Sequence, residues 1–123
     1  FVGYFIGSPA MNLFETEASS NDSVKINNTI IKTSTNLSNL KDKKIKLGIR
    51  SEFIKIAENQ SENLLNVDVD KVEDLGNYKL LTAKMGSLTI KSKINRETEV
   101  PSNNVKLHIP AEKCCVYEDE KLV

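Results

Sequence analysis

The sequence predicts an all-β domain of about eight or nine short strands, arranged as a sandwich or as small barrels, and three observations carry that expectation. Apolar residues alternate with polar ones over short runs, most clearly in "KIKLGIR", where Ile45, Leu47 and Ile49 share one face and Lys46, Gly48 and Arg50 the other. Turn-forming residues such as Asn27-Asn28, Gly76, Gly86 and Pro110 punctuate these runs. Helical periodicity is nearly absent.

The first residues are the exception. Phe1, Val2, Phe5 and Ile6 recur at i, i+4 spacing, which predicts the last turns of a helix with one apolar face. Gly7 can take the left-handed position after such a helix, and Pro9 forbids its continuation. Residues 1–8 are therefore expected to be the tail of an upstream unit, and residues 9–123 the domain proper.

Residues 11–17 alternate loosely. Val24 and Ile26 precede Asn27-Asn28, which tolerates the positive φ of a tight turn, and Thr29 to Thr33 returns as a β-branched strand. The polar stretch from Ser34 to Lys43 reads as a loop. "SEFIKIAENQSEN" has some helical character, amounting to a single turn. Leu65, Val67 and Val69 alternate with Asn66, Asp68 and Asp70, and Val72 then breaks the phase by one, which implies a bulge or bend. Tyr78 to Met85 and Ser87 to Ile94 form a hairpin across Gly86, Val105 to Ile109 a further strand, and "CCVY" a short last one.

The 123 residues suit one domain, and the 17 basic and 17 acidic side chains cancel. Nothing in that balance attracts nucleic acid or an anionic membrane, and the scattered aromatics Phe53, Tyr78 and Tyr117 build no stacking platform. Four N-x-[ST] sequons, at Asn21, Asn27, Asn36 and Asn59, are chance matches in so Asn-rich a chain. Adjacent Cys114 and Cys115 point to opposite faces of a strand, so they suit a reducing compartment better than a disulfide.

Catalytic patterns are missing. No phosphate loop is present, and the single His108 makes neither a triad nor a multi-histidine zinc site; a ligand role for His108 with Cys114 and Cys115 is outweighed by the reading as a surface histidine and two partly buried thiols. Asp68, Asp70, Glu73 and Asp74 cluster in sequence but read as the solvated side of a strand. The expectation is a segment without catalytic residues, bound cofactor or metal.

Four stretches in order, "FVGYFIGSPAMNLFE", "LGIRSEFI", "VEDLGNYKLL" and "LHIPAEKCCVYEDE", resemble the C-terminal portion of ATP-binding subunits of ABC importers for carbohydrates, of the maltose/oligosaccharide and glycerol-3-phosphate group. The resemblance covers essentially the whole chain. It implies OB-like barrels of the TOBE kind, forming a regulatory domain that holds a homodimer of ATPase subunits together while the ATPase domains open and close. It also implies an upstream domain using ATP and Mg, membrane permease subunits contacted through that domain, a place in the cytoplasm on the inner face of the membrane, and a cytoplasmic regulatory protein as a further partner.

Carried over residue by residue, the resemblance makes Ser8, Pro9, Met11 and Asn12 the domain junction, with the Asn12 amide tying the chain down. Gly48, Arg50 and Glu52 become the central motif, Leu75 and Gly76 a turn, and Pro110 and Glu112 the lead into the last strand. These are junction and interface candidates. The family's Pro and His are replaced by Ser51 and Phe53, and its closing His and Phe by Cys115 and Tyr117, which marks a divergent member. The alternative expectation is a β-barrel module binding a small ligand, an oxyanion or an oligosaccharide.

Overall fold

The computed structural model describes residues 5–6, 11–40, 43–118 and 121–122, the first and last pairs by their backbone alone. Twelve strands lie among them: β1 (Phe5–Ile6), β2 (Met11–Glu17), β3 (Ser23–Ile26), β4 (Thr29–Lys32), β5 (Lys44–Arg50), β6 (Lys55–Ile56), β7 (Leu64–Asp74), β8 (Lys79–Met85), β9 (Leu88–Ile94), β10 (Asn104–His108), β11 (Cys115–Glu118) and β12 (Lys121–Leu122). Nine of these have four residues or more, in line with the eight or nine expected. Single 3-10 turns at Ser38–Leu40, Ser51–Phe53 and Ala111–Lys113 complete the described elements. The fold is all-β and OB-like.

The strands form two five-stranded antiparallel sheets, ordered β1-β2-β5-β11-β12 and β6-β10-β7-β8-β9, with β3 and β4 as a separate hairpin. One apolar core joins all three. Phe14, Leu47, Ile49 and Val116 come from the first sheet, Leu65, Leu81, Ile90 and Leu107 from the second, and Val24 and Ile31 from the hairpin. Each of these side chains is almost wholly out of water, the burial that drives a β fold to close on itself.

Local chemistry explains most boundaries. Asn27 and Asn28 take φ of 48° and 72°, the two-residue turn that matches strand twist, and set Ile26 opposite Thr29. Gly86, at φ 63°, makes the equivalent turn between Met85 and Leu88. The phase slip ahead of Val72 is a register shift between Val69 and Lys71, which lets one long strand serve two differently oriented partners, β10 and β8.

One expectation needs correction. Where the helix tail was expected, Phe5 and Ile6 are extended and pair with Asn12 and Met11. A four-residue spacing pattern carries too few turns to decide for a helix, and pairing with β2 satisfies the same backbone groups. The remainder of that expected tail, including Ser8 and Pro9, lies outside the described residues, as does the boundary between residues 8 and 9. The loop after β4 is less polar in effect than in composition: Leu37 and Leu40 insert into the core, and the Leu37 N–H donates to the Asn21 carbonyl at 2.6 Å.

Candidate functional site

Five of the expected junction residues come together. Met11 stands opposite Arg50, and Asn12 opposite Ile49, in the β2–β5 ladder, with Gly48 two places along and Glu52 in the 3-10 turn that follows. Gly48 is required by close approach. A Cβ there would lie 2.8 Å from Met11 Sδ, 3.0 Å from Leu13 Cδ2 and 3.0 Å from Tyr117 Cε2. Three side chains thus converge over a bare backbone on the face of the first sheet turned away from the core, and Tyr117 is brought there by β11, which pairs Cys115 with Gly48. Burial, then the neighbouring Cys115, push the Tyr117 phenol above its usual range, and its hydroxyl lies 3.7 Å from Met11 Sδ.

Asn12 faces the other way and is fully buried. Its Nδ2 donates to the carbonyls of Ile49, at 3.3 Å, and Lys91, at 2.9 Å, while its Oδ1 accepts the Lys91 N–H at 2.9 Å. These bonds reach a strand of the other sheet.

The remaining candidates occupy separate turns. Leu75 and Gly76 join β7 to β8, with Gly76 at φ 97° and its N–H held by Asp74 Oδ1 at 2.9 Å. That bond, followed by the Arg96 guanidinium, holds the exposed Asp74 carboxyl below its usual range. Pro110 sets the entry to the 3-10 turn containing Glu112, and its carbonyl accepts the Lys113 N–H and the Cys114 thiol. Burial pushes that thiol up to about 12.

Among the described residues no three His, Cys, Asp or Glu side chains converge as metal ligands. His108 is half-buried between Lys55 and Leu64 in the ladder, and the bulge separates Asp68 from the carboxylates that follow it.

Sequence reasoning missed an open cleft of about 900 Å³ beside the first sheet. Its floor is the end of β2 and the two residues after it, from Glu15 to Ser19. One wall is the start of β5, with Lys44 and Lys46, and the other is the β3–β4 turn, with Lys25, Asn27 and Asn28; Tyr117 also lines the cleft. The walls are held in place. Thr16 Oγ1 donates to the Lys25 carbonyl, joining floor to turn, and Asn27 Nδ2 donates to the Met85 carbonyl at 3.3 Å. The signal for the second contact is the small Gly86, where a Cβ would stand 2.9 Å from Asn27 Nδ2.

Asn63 was also missed. At φ 56° its Oδ1 accepts the Lys32 N–H at 2.9 Å and its Nδ2 donates to the Lys32 and Ile109 carbonyls, both at 2.8 Å. An asparagine immediately before an alternating strand is a residue that tolerates the left-handed region, and that was its only sequence signal.

Comparison with known proteins agrees with this architecture. Residues 7–54 match the family model described as the MalK OB fold domain. No curated protein matches the chain by sequence. Among solved structures, the cytoplasmic molybdate-binding protein ModG with molybdate bound is similar at a TM-score of 0.72 and 14% identity, over 86% of this chain and 94% of that one. At that identity the likeness shows the fold.

Proposed function

We propose that this chain is the regulatory and dimerising domain of the ATP-binding subunit of an ABC importer for sugars or sugar-related solutes. The observation that carries the reading is the match of residues 7–54 to the MalK OB fold domain, the span that holds Met11, Asn12, Gly48, Arg50 and Glu52. Met11, Asn12, Gly48 and Arg50 sit on paired strands tied to the second sheet through Asn12, and Glu52 follows in the adjoining turn. A rigid barrel of this kind can keep one interface fixed while nucleotide binding closes another. The domain would work at the cytoplasmic face of the membrane, with a second copy of itself, permease subunits and a cytoplasmic regulatory protein as partners, and with ATP and Mg in an upstream domain.

The test is the reading frame upstream of Phe1, followed by analytical ultracentrifugation of the full-length protein with and without residues 9–123. A phosphate loop and an ABC signature upstream, with a dimer that weakens on deletion, are expected. An upstream segment without them sinks the proposal. A second reading, a small-ligand module, is favoured by the likeness to ModG, whose structure holds molybdate. Calorimetric titration with molybdate, with sulfate as the comparison, decides it: no heat from either oxyanion ends that reading.

A further inference from the structure

We propose that the cleft between β2, β5 and the β3–β4 turn binds a small sugar or polyol carrying one phosphate group. The inference needs neither the importer reading nor the oxyanion reading. Its volume, about 900 Å³, lies in the range of small-molecule sites, roughly 300–1,000 Å³.

The two walls differ in chemistry. On the β2–β5 side, Glu15 stands opposite Lys46 and Glu17 opposite Lys44 in the ladder. A carboxylate only accepts hydrogen bonds and an ammonium group only donates them. A hydroxyl does both, so a row of sugar hydroxyls matches alternating carboxylate and ammonium groups, and Tyr117 in the lining suits the C–H face of a sugar. On the β3–β4 side the lining is Lys25, Asn27 and Asn28, donors with no carboxylate among them, and that is where a phosphate belongs.

Charge state narrows the class further. Among the described lining residues Lys25, Lys44 and Lys46 stand against Glu15 and Glu17, a near balance that does not suit a nucleic acid strand, which the carboxylates also repel. A bare oxyanion would leave those carboxylates without a match. None of the ion pairs among the described residues uses Glu15, Glu17, Lys25 or Lys44, although Glu17 and Lys44 face each other directly. Four charged groups are thus collected in one concave site without being spent on one another. The floor and turn are already fixed by Thr16 and Asn27, so the site does not have to be assembled on binding.

The experiment is isothermal titration of the protein with glucose 6-phosphate, glucose and inorganic phosphate, each repeated on Lys25→Ala, Lys44→Ala and, as a control outside the cleft, Lys84→Ala. Saturable binding of glucose 6-phosphate is expected, weakened about tenfold by loss of either cleft lysine, as for a charge-assisted bond, and unchanged by Lys84→Ala. Amide NMR shifts on adding glucose 6-phosphate should concentrate at residues 15–19 and 25–28. No binding overturns the proposal. So does binding that Lys25→Ala and Lys44→Ala both leave intact, or inorganic phosphate binding as tightly as the sugar phosphate, which would make this an anion site alone. The circular dichroism of each variant, expected to match wild type because both lysines are exposed, separates lost binding from lost fold.

Discussion

The side chain of Asn12 completes the free edge of β9 at Lys91: its Nδ2 donates to the Lys91 carbonyl and its Oδ1 accepts the Lys91 N–H, both at 2.9 Å. A side-chain amide here does the work of a neighbouring strand. Two positions on, the Lys93 carbonyl accepts Lys55 Nζ at 2.9 Å, so the edge is occupied by side chains and closed to another chain's backbone.

Replacing Asn12 by Leu should therefore be severe. It removes the partner that the Asn12 amide gives the Lys91 N–H and C=O at a half-buried edge, and a loss of about 1–3 kcal/mol is expected. Urea unfolding measures it. A value within 0.5 kcal/mol of wild type, roughly the scatter of neutral surface changes, would mean that water reaches this edge and the amide is dispensable.

Gly48→Val places a branched side chain where Met11, Leu13 and Tyr117 already meet, and overpacking of about 1–3 kcal/mol follows. The accompanying readout is the near-ultraviolet signal of Tyr117, which should change as its ring is displaced. An unchanged signal with unchanged stability would show that the three side chains move aside freely.

Asn63 offers a graded pair. Asn63→Gly keeps the positive φ but loses three hydrogen bonds, whereas Asn63→Ala loses both the bonds and the favourable backbone. The expected order of stability is wild type, then Gly, then Ala, with roughly 1 kcal/mol between the two variants. Thermal melts that put Ala above Gly would contradict the strain argument.

Cys114 gives the chain a pH dependence of known sign. Its thiol titrates near 9.0 when unfolded and is pushed up to about 12 by burial when folded. Between those values the unfolded chain has released a proton that the folded one keeps, so stability falls by about 1.4 kcal/mol per pH unit across that window. Cys114→Ala should flatten this part of the profile. Equal slopes in both proteins would assign the loss to other groups.

Thr82 runs the other way. It is 4% exposed, and its Oγ1 has no hydrogen-bond partner among the described residues. Thr82→Val removes an unsatisfied polar atom from a strand that favours valine, and a gain of about 1 kcal/mol is expected in urea unfolding. A loss would reveal a hidden partner for the hydroxyl.

What could be read from the sequence is what depends on neighbours along the chain. The alternation in "KIKLGIR" became β5, Asn27-Asn28 became a turn, and the phase break ahead of Val72 became a register shift, because strand faces repeat every two residues whatever the strand pairs with. The partner of the Asn12 amide was not legible, since Lys91 lies 79 residues away. Asn63, the cleft and the anchoring of Leu37 and Leu40 were not legible, because each exists only once segments distant in sequence are brought together. At the N-terminus four apolar residues fitted a helix on paper, and Phe5–Ile6 is a strand because β2 is there to pair with it.

The position of β11 has a consequence for how the chain is made. It forms one flank of β5 but is synthesised after the whole second sheet. On a ribosome, β5 must wait with one side unpaired while residues 51–114 emerge, and any message truncated after β10 yields a product with that apolar, hydrogen-bonding flank exposed. Solubility should therefore appear abruptly once β11 is translated.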